Sequence, residues 1–329
     1  MSDVINNLLL ELDIHPVLID VGASGTTPKI WNSIAQHSIY VGFDPDLREI
    51  QEFSGELFHR SVLVNEAITS EEESSEILFY LTKFPYSSSV LKPDTKSLEY
   101  FIFSDSFIVE RETKVRATTL NSIRARLGLT GVDWLKTDSQ GTDLRIFNSL
   151  SNDLRSQVLA VDIEPGLIDA YLGEDLFIDA QKSLVKQGFW LSSLNICGEV
   201  RLKKSTINKL ETIDNEVNLE LINSYHKKSP GWCEARYLRT IDWLAQGNFS
   251  KREYILLGVF SLLDSQLGFA IELAFEYDRI FGRDKYSQII LDEAMLRLKQ
   301  LRPKKKLART IAGKLLPTQI KQWLKGVIT

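Results

Sequence analysis

The stretch VLIDVGASGTTPKIWNSIAQHSIYVGFDPD, residues 17–46, decides the fold. It opens on an apolar run that ends at Asp20, followed by Gly22 and Gly25, where a tight turn lets a ligand approach the backbone. "PKIWNSIAQH" (28–37) is predicted as a helix with Pro28 in its first turn, where a missing amide hydrogen costs nothing. "SIYVGFD" (38–44) is a second strand, closing on Asp44. Strand, helix and strand in that order predict a right-handed crossover onto a parallel sheet.

The pattern continues outward. "LREIQEF" (47–53) reads as a helix and "SVLVNEAI" (61–68) as a third strand. An irregular section follows, with strands at "ILFYLT" (77–82) and "VERETKVRATTL" (109–120) around the loop "FPYSSSVLKPD" (84–94). Then the parallel pattern returns: "VDWLKTD" (132–138) and "VLAVDIEP" (158–165) are strands, and "DLRIFNSL" (143–150) and "FIDAQKSLVKQG" (177–188) are helices. "FWLSSLNI" and "GEVRLKK" are predicted as a closing antiparallel pair. Beyond about residue 205 strand signals fade and helical periodicity takes over. The chain is therefore divided into an α/β domain (1–204), a helical region (205–298) and a basic tail (299–329).

Composition excludes several classes. Apolar residues make up 43% and charged ones 25% of the 329, which suits a globular core. The N-terminus "MSDVINNLLLELDIHP" lacks a basic leader and cleavage site, so it is not read as a signal peptide. No apolar run approaches the roughly 20 residues of a membrane span. Cys197 and Cys233 are read as free thiols in a reducing cytoplasm, with one disulfide the alternative, and the scattered histidines form no zinc pattern. From Lys299 onward there are nine Lys or Arg and no acid, leaving 30 basic against 44 acidic residues on the body. An acidic body with no recognised binding motif argues against nucleic acid. The tail, with Leu307, Ile311, Leu315 and Trp323 at helical spacing, could lie on an anionic membrane surface, dock on an acidic protein or pack as a terminal helix. The helical region could cover the substrate crevice, form a dimer interface or bind another protein.

In an open parallel sheet, ligands bind beyond the carboxyl ends of the strands near the switch in strand order. Asp20, Gly22, Ala23, Ser24 and Gly25 end the first strand there, ahead of helix-starting amides. Asp44 lies about 20 residues past the glycines, where an acid can accept from both hydroxyls of a ribose. Glu66, after the third strand, is placed near an adenine. The missing third glycine of a G-x-G-x-x-G pattern favours a nucleoside cofactor without a diphosphate over a nicotinamide dinucleotide. Asp138 ends the fourth strand beside the first, Gly141 permits a sharp exit, and Asp143 favours the next helix N-terminus.

Taken in order, "LIDVGASG", "YVGFDPD", "LVNEAIT", "SSSVLKPD", "VRATTLNSI", "DWLKTDSQGTDLRIFNSL" and "VLAVDIEP" resemble the FkbM-type methyltransferases over roughly residues 17–200. The resemblance implies a class I, Rossmann-like seven-stranded sheet with one antiparallel strand. It also implies S-adenosyl-L-methionine as cofactor and methyl transfer, usually to a hydroxyl of a sugar or natural-product scaffold. Carried onto this chain, Asp20, Gly22 and Gly25 match the cofactor loop and Asp44 the ribose-binding acid, while Lys136, Asp138 and Gly141 match the late motif. Asp138 is the candidate for acid–base or acceptor positioning, or for contact with the cofactor's methionine portion. Lys136 is its companion or an ion-pair partner. Gln140 stands where the family has Glu, and Asn121 where an Asp follows the preceding strand, so no metal is expected. Those two departures leave a non-catalytic adaptor as the alternative. The serines at 87–89 either donate hydrogen bonds to the cofactor or belong to a plain turn.

Overall fold

The computed structural model describes residues 2–23, 27–46, 48, 55–71, 75–247 and 249–301. Ser24, Gly25, most of 47–53 and the tail from residue 302 onward lie outside the described residues.

The strands are β1 (Val17–Val21), β2 (Ile39–Phe43), β3 (Arg60–Val64), β4 (Ala67–Ile68), β5 (Glu76–Thr82), β6 (Val109–Thr118), β7 (Trp134–Thr137), β8 (Ala160–Ile163), β9 (Phe189–Glu199) and β10 (Ser229–Arg239). Seven form one sheet in the order β3-β2-β1-β7-β8-β10-β9, and β4, β6 and β5 form a small second sheet. β1, β2, β3, β7 and β8 are mutually parallel, whereas β10 runs antiparallel to both β8 and β9. This is the seven-stranded, Rossmann-like arrangement with one reversed strand. The strand order reverses between β1 and β7, so a crevice is expected beyond those two ends.

Side chains alternate between the two faces. Val17, Ile19, Val41, Leu135, Val161 and Tyr237 belong to a core shared with the helices Leu120–Leu127, Asp143–Ser149 and Phe177–Lys186. Leu18, Tyr40, Trp134, Ala160 and Leu238 face the other way, into a core built with the helices Ser2–Glu11, Lys251–Leu263, Leu267–Phe281 and Lys285–Gln300. Asp133 binds the two parts together: buried, it accepts from the Val17 amide at 2.8 Å and from Arg252 at 2.8 and 2.9 Å.

Four expectations need correction. Residues 28–37 form two 3₁₀ turns, Lys29–Ser33 and Ala35–His37, not an α-helix. Trp31, Ile34 and His37 are all buried, and their spacing of three suits the 3₁₀ period. The run 61–68 splits, with Ala67–Ile68 paired to β6 in the small sheet. "FWLSSLNI" and "GE" form the single strand β9, whose partner is β10. The boundary at 204/205 therefore falls inside the sheet. The β10 sequence SPGWCEARYLR hides its alternation: its buried stripe is Gly231, Cys233, Ala235 and Tyr237, with Pro230, Glu234 and Arg236 between.

Candidate active site

A cleft of about 410 Å³ opens beyond the carboxyl ends of β1, β2, β7 and β8. Gly22, Asp44, Glu66 and Asp138 all line it. The Asp138 amide donates to the Val21 carbonyl at 2.9 Å, extending the β1–β7 ladder one residue past the strands. Gly22 makes that approach possible. Its φ is +83°, and a Cβ there would sit 2.1 Å from the Asp138 carbonyl oxygen.

Asp44 is 7% exposed, and its backbone carbonyl accepts from Asn65 at 2.8 Å. Burial is the main influence on its carboxyl and pushes it up to about 6, with the Asp46 amide at 2.7 Å pulling back and the charges of Asp46, Asp138 and Asp20 adding to the rise. Glu66 reaches the cleft wall while Arg126 grips both its oxygens at 3.0 Å.

Asp20 and Lys136 are directed elsewhere. They are register partners on β1 and β7, joined at 2.8 Å, with Tyr40 donating to the other Asp20 oxygen at 3.0 Å. Neither is among the residues lining the cleft, nor is Ala23. The row continues across the sheet: Asp162 pairs with Arg236 at 2.7 Å, and Arg236 with Asp264 at 2.7 Å. Burial pulls the Lys136 ammonium down, but the carboxylates of Asp20 and Asp138 outweigh it and the net shift is upward. A lysine held protonated cannot take a proton from an acceptor, and of the two catalytic candidates Asp138 is the one that lines the cleft.

The turn after β7 is built by its own polar groups. Asp143 opens the following helix, fully buried, and accepts from the amides of Ser139 at 2.8 Å and Glu164 at 3.0 Å. Burial raises its carboxyl. Asn121 clamps the chain behind the site, donating to Ser149 O and accepting from Ser151 N, both at 2.9 Å. It is not among the cleft-lining residues. The serine loop does wall the cleft through Phe84, Tyr86, Ser87, Ser88 and Val90. The hydroxyls of Ser88 and Ser89 are already engaged: Ser88 Oγ accepts from Thr82 N and Arg48, and Ser89 Oγ donates to Gln140 O at 2.7 Å.

Several residues went unmarked in the sequence. Glu164 follows β8 as Asp138 follows β7, and it lines the cleft. Burial, reinforced by the charges of Asp138 and Asp143, pushes it up to about 9, so it carries a proton at neutral pH. A strand-terminal acid in "AVDIEP" was the available signal. Glu199 and Trp232 line the far end from β9 and β10, with Phe103 stacked on Trp232. Only the pairing of β10 brings them there, and no local motif reveals it.

Among the described residues, the cleft lining includes six acids and no Lys, Arg or His. A reversed strand in an otherwise parallel seven-stranded sheet, with its cleft at the strand-order switch, matches the Rossmann-like fold of class I methyltransferases. The family model described as the methyltransferase FkbM domain matches residues 20–197, more than half of the chain, and the chain belongs to that family. It is thus a methyltransferase by family. A search of curated proteins found no match. No described helix is long and apolar enough to cross a membrane.

Proposed function

We propose that the protein is an S-adenosyl-L-methionine-dependent O-methyltransferase acting on a hydroxyl of a saccharide or natural-product acceptor. The observation that carries this reading is the make-up of the cleft wall: six carboxyl groups, of which Asp44 and Asp138 end strands at the strand-order switch, and no cationic side chain among its described lining residues. A sulfonium cofactor with an ammonium group suits that wall. A dinucleotide diphosphate would find no Lys, Arg or His among the described lining residues to receive it.

In this reading Asp44, ionised above about pH 6, accepts from the ribose hydroxyls. The apolar lining residues Phe43, Ile68 and Phe79 receive the base. Gly22, in the cleft wall, lies beside the methionine portion. When bound, the cofactor supplies an electrophilic methyl carbon on sulfur. Asp138 would orient the acceptor hydroxyl and take up the proton that its oxygen gives up on methylation. Glu164, protonated, donates a hydrogen bond toward the acceptor side. The two free cysteines support a cytoplasmic setting. The basic tail 299–329 is assigned to peripheral contact with an anionic membrane or an acidic protein.

Calorimetric titration of the full chain with S-adenosylhomocysteine and, separately, with NAD tests the cofactor. Micromolar binding of the first and none of the second is expected. The reverse preference would remove the assignment.

A further inference from the structure

Gln140 is one of the two positions where the family resemblance leads to an acid and this chain has an amide, and its surroundings are built for an amide. It holds a left-handed φ of 58°, unusual for a residue with a Cβ. The turn is clamped on both sides: Ser89 Oγ donates to the Gln140 carbonyl at 2.7 Å, and the Asp175 amide donates to the Gly141 carbonyl at 2.8 Å. The side chain then makes two opposite contacts. Its Nε2 donates to Asp138 Oδ1 at 2.7 Å, and its Oε1 accepts from the Tyr171 hydroxyl at 2.9 Å. The same hydroxyl lies 2.8 Å from the Ser87 carbonyl, in the loop that walls the cleft. Tyr171 is 3% exposed, and burial holds its phenol far above its ordinary range, so it keeps its single proton.

An amide can donate to a carboxylate with one end and accept from a phenol with the other. A glutamate in the same place would set two carboxylates 2.7 Å apart. The charged and titratable groups around the turn make that costly: Asp138 and Asp143 on the turn and the helix it starts, Glu164 after β8, and Glu174 beside Tyr171, against Lys136 alone on β7. The turned-over amide would press its oxygen against the Asp138 carboxylate, which fixes the orientation while Asp138 is ionised.

We propose that Gln140 is a positioning residue: it holds the Asp138 carboxylate as proton acceptor and ties it through Tyr171 to the loop at Ser87. The inference rests on the reading of Asp138 as the base. The bridge also serves the protonated state. Once Asp138 carries the proton, a rotated Gln140 accepts from it and donates to the Tyr171 oxygen, and the Tyr171 hydroxyl keeps its proton and donates to the Ser87 carbonyl alone. Every donor then has one acceptor.

The test follows tritium from S-[methyl-³H]adenosylmethionine into an extract of the source cells, at saturating cofactor, for the full chain and for Asp138→Asn, Gln140→Glu and Tyr171→Phe. At pH 8 Gln140→Glu should transfer at least tenfold more slowly than the unaltered chain. Its rate relative to that chain should rise severalfold by pH 5.5, because a protonated glutamate donates to Asp138 as the amide does. Tyr171→Phe keeps the ring and loses the hydroxyl; it should slow transfer about tenfold with S-adenosylhomocysteine affinity unchanged. A ratio flat with pH, or Gln140→Glu or Tyr171→Phe at the unaltered rate, overturns the role of Gln140. Asp138→Asn at the unaltered rate, or no transfer by the unaltered chain, overturns instead the reading on which it rests.

Discussion

Replacing Asp44 with alanine should weaken S-adenosylhomocysteine binding by roughly 100-fold, equivalent to about 3 kcal/mol for two hydrogen bonds to a charged acceptor. The site concentrates that loss in one residue. Asp44 is held at the end of β2 by the Asn65 side chain and the Asp46 amide, and no second carboxylate occupies its place. A dependence on pH accompanies it. Burial raises the Asp44 carboxyl to about 6, so the ionised acceptor is present above that pH and is lost as pH falls through it. Affinity in the unaltered chain should therefore drop between pH 7 and pH 5, and the alanine variant should lack that drop. Calorimetry at both pH values reads the two effects together. Unchanged affinity in a folded variant would sink the assignment of Asp44.

A chain ended after residue 204 should fail to fold. The cut removes β10, which alone joins β9 to β8, and so strands an outer part of the sheet. It also uncovers the face carrying Leu18, Tyr40, Trp134 and Leu159, each at most 1% exposed in the whole protein. Burial of side chains of this kind contributes roughly 1.5–3 kcal/mol apiece, against a net domain stability of only about 5–15 kcal/mol. Asp133 would also lose Arg252, the guanidinium that ties the two parts together. Loss of a cooperative thermal transition in the shortened chain is expected. A sharp transition together with S-adenosylhomocysteine binding would show that residues 1–204 stand alone.

The parallel half of the sheet was legible because its signals are local. "VLIDVG", "SIYVGFD" and "VDWLKTD" each combine a buried run with a polar end, and β1, β2 and β7 appear within a residue or two of those runs. Asp44 and Asp138 were found for the same reason, since strand-end position alone aims them at the crevice. What escaped depends on pairing between distant segments. Gly231, Cys233 and Ala235 supply a buried stripe too small to register as a strand, so β10 was taken for the edge of a helical region. Its loss hid Trp232 as well. For Lys136 the sequence left two roles open, companion of Asp138 or ion-pair partner, and strand alternation turns it toward Asp20. Gln140 looked like a missing charge. Its meaning needed Tyr171, 31 residues away, and the Ser87 carbonyl beyond it.

Methyl transfer itself is the point on which the functional reading stands. Label from tritiated S-adenosylmethionine should enter an acceptor in a cell extract with the unaltered protein. With Asp138→Ala it should fall at least 100-fold while S-adenosylhomocysteine affinity stays within a few-fold. A folded, unaltered protein that binds S-adenosylhomocysteine tightly yet transfers no label would contradict it.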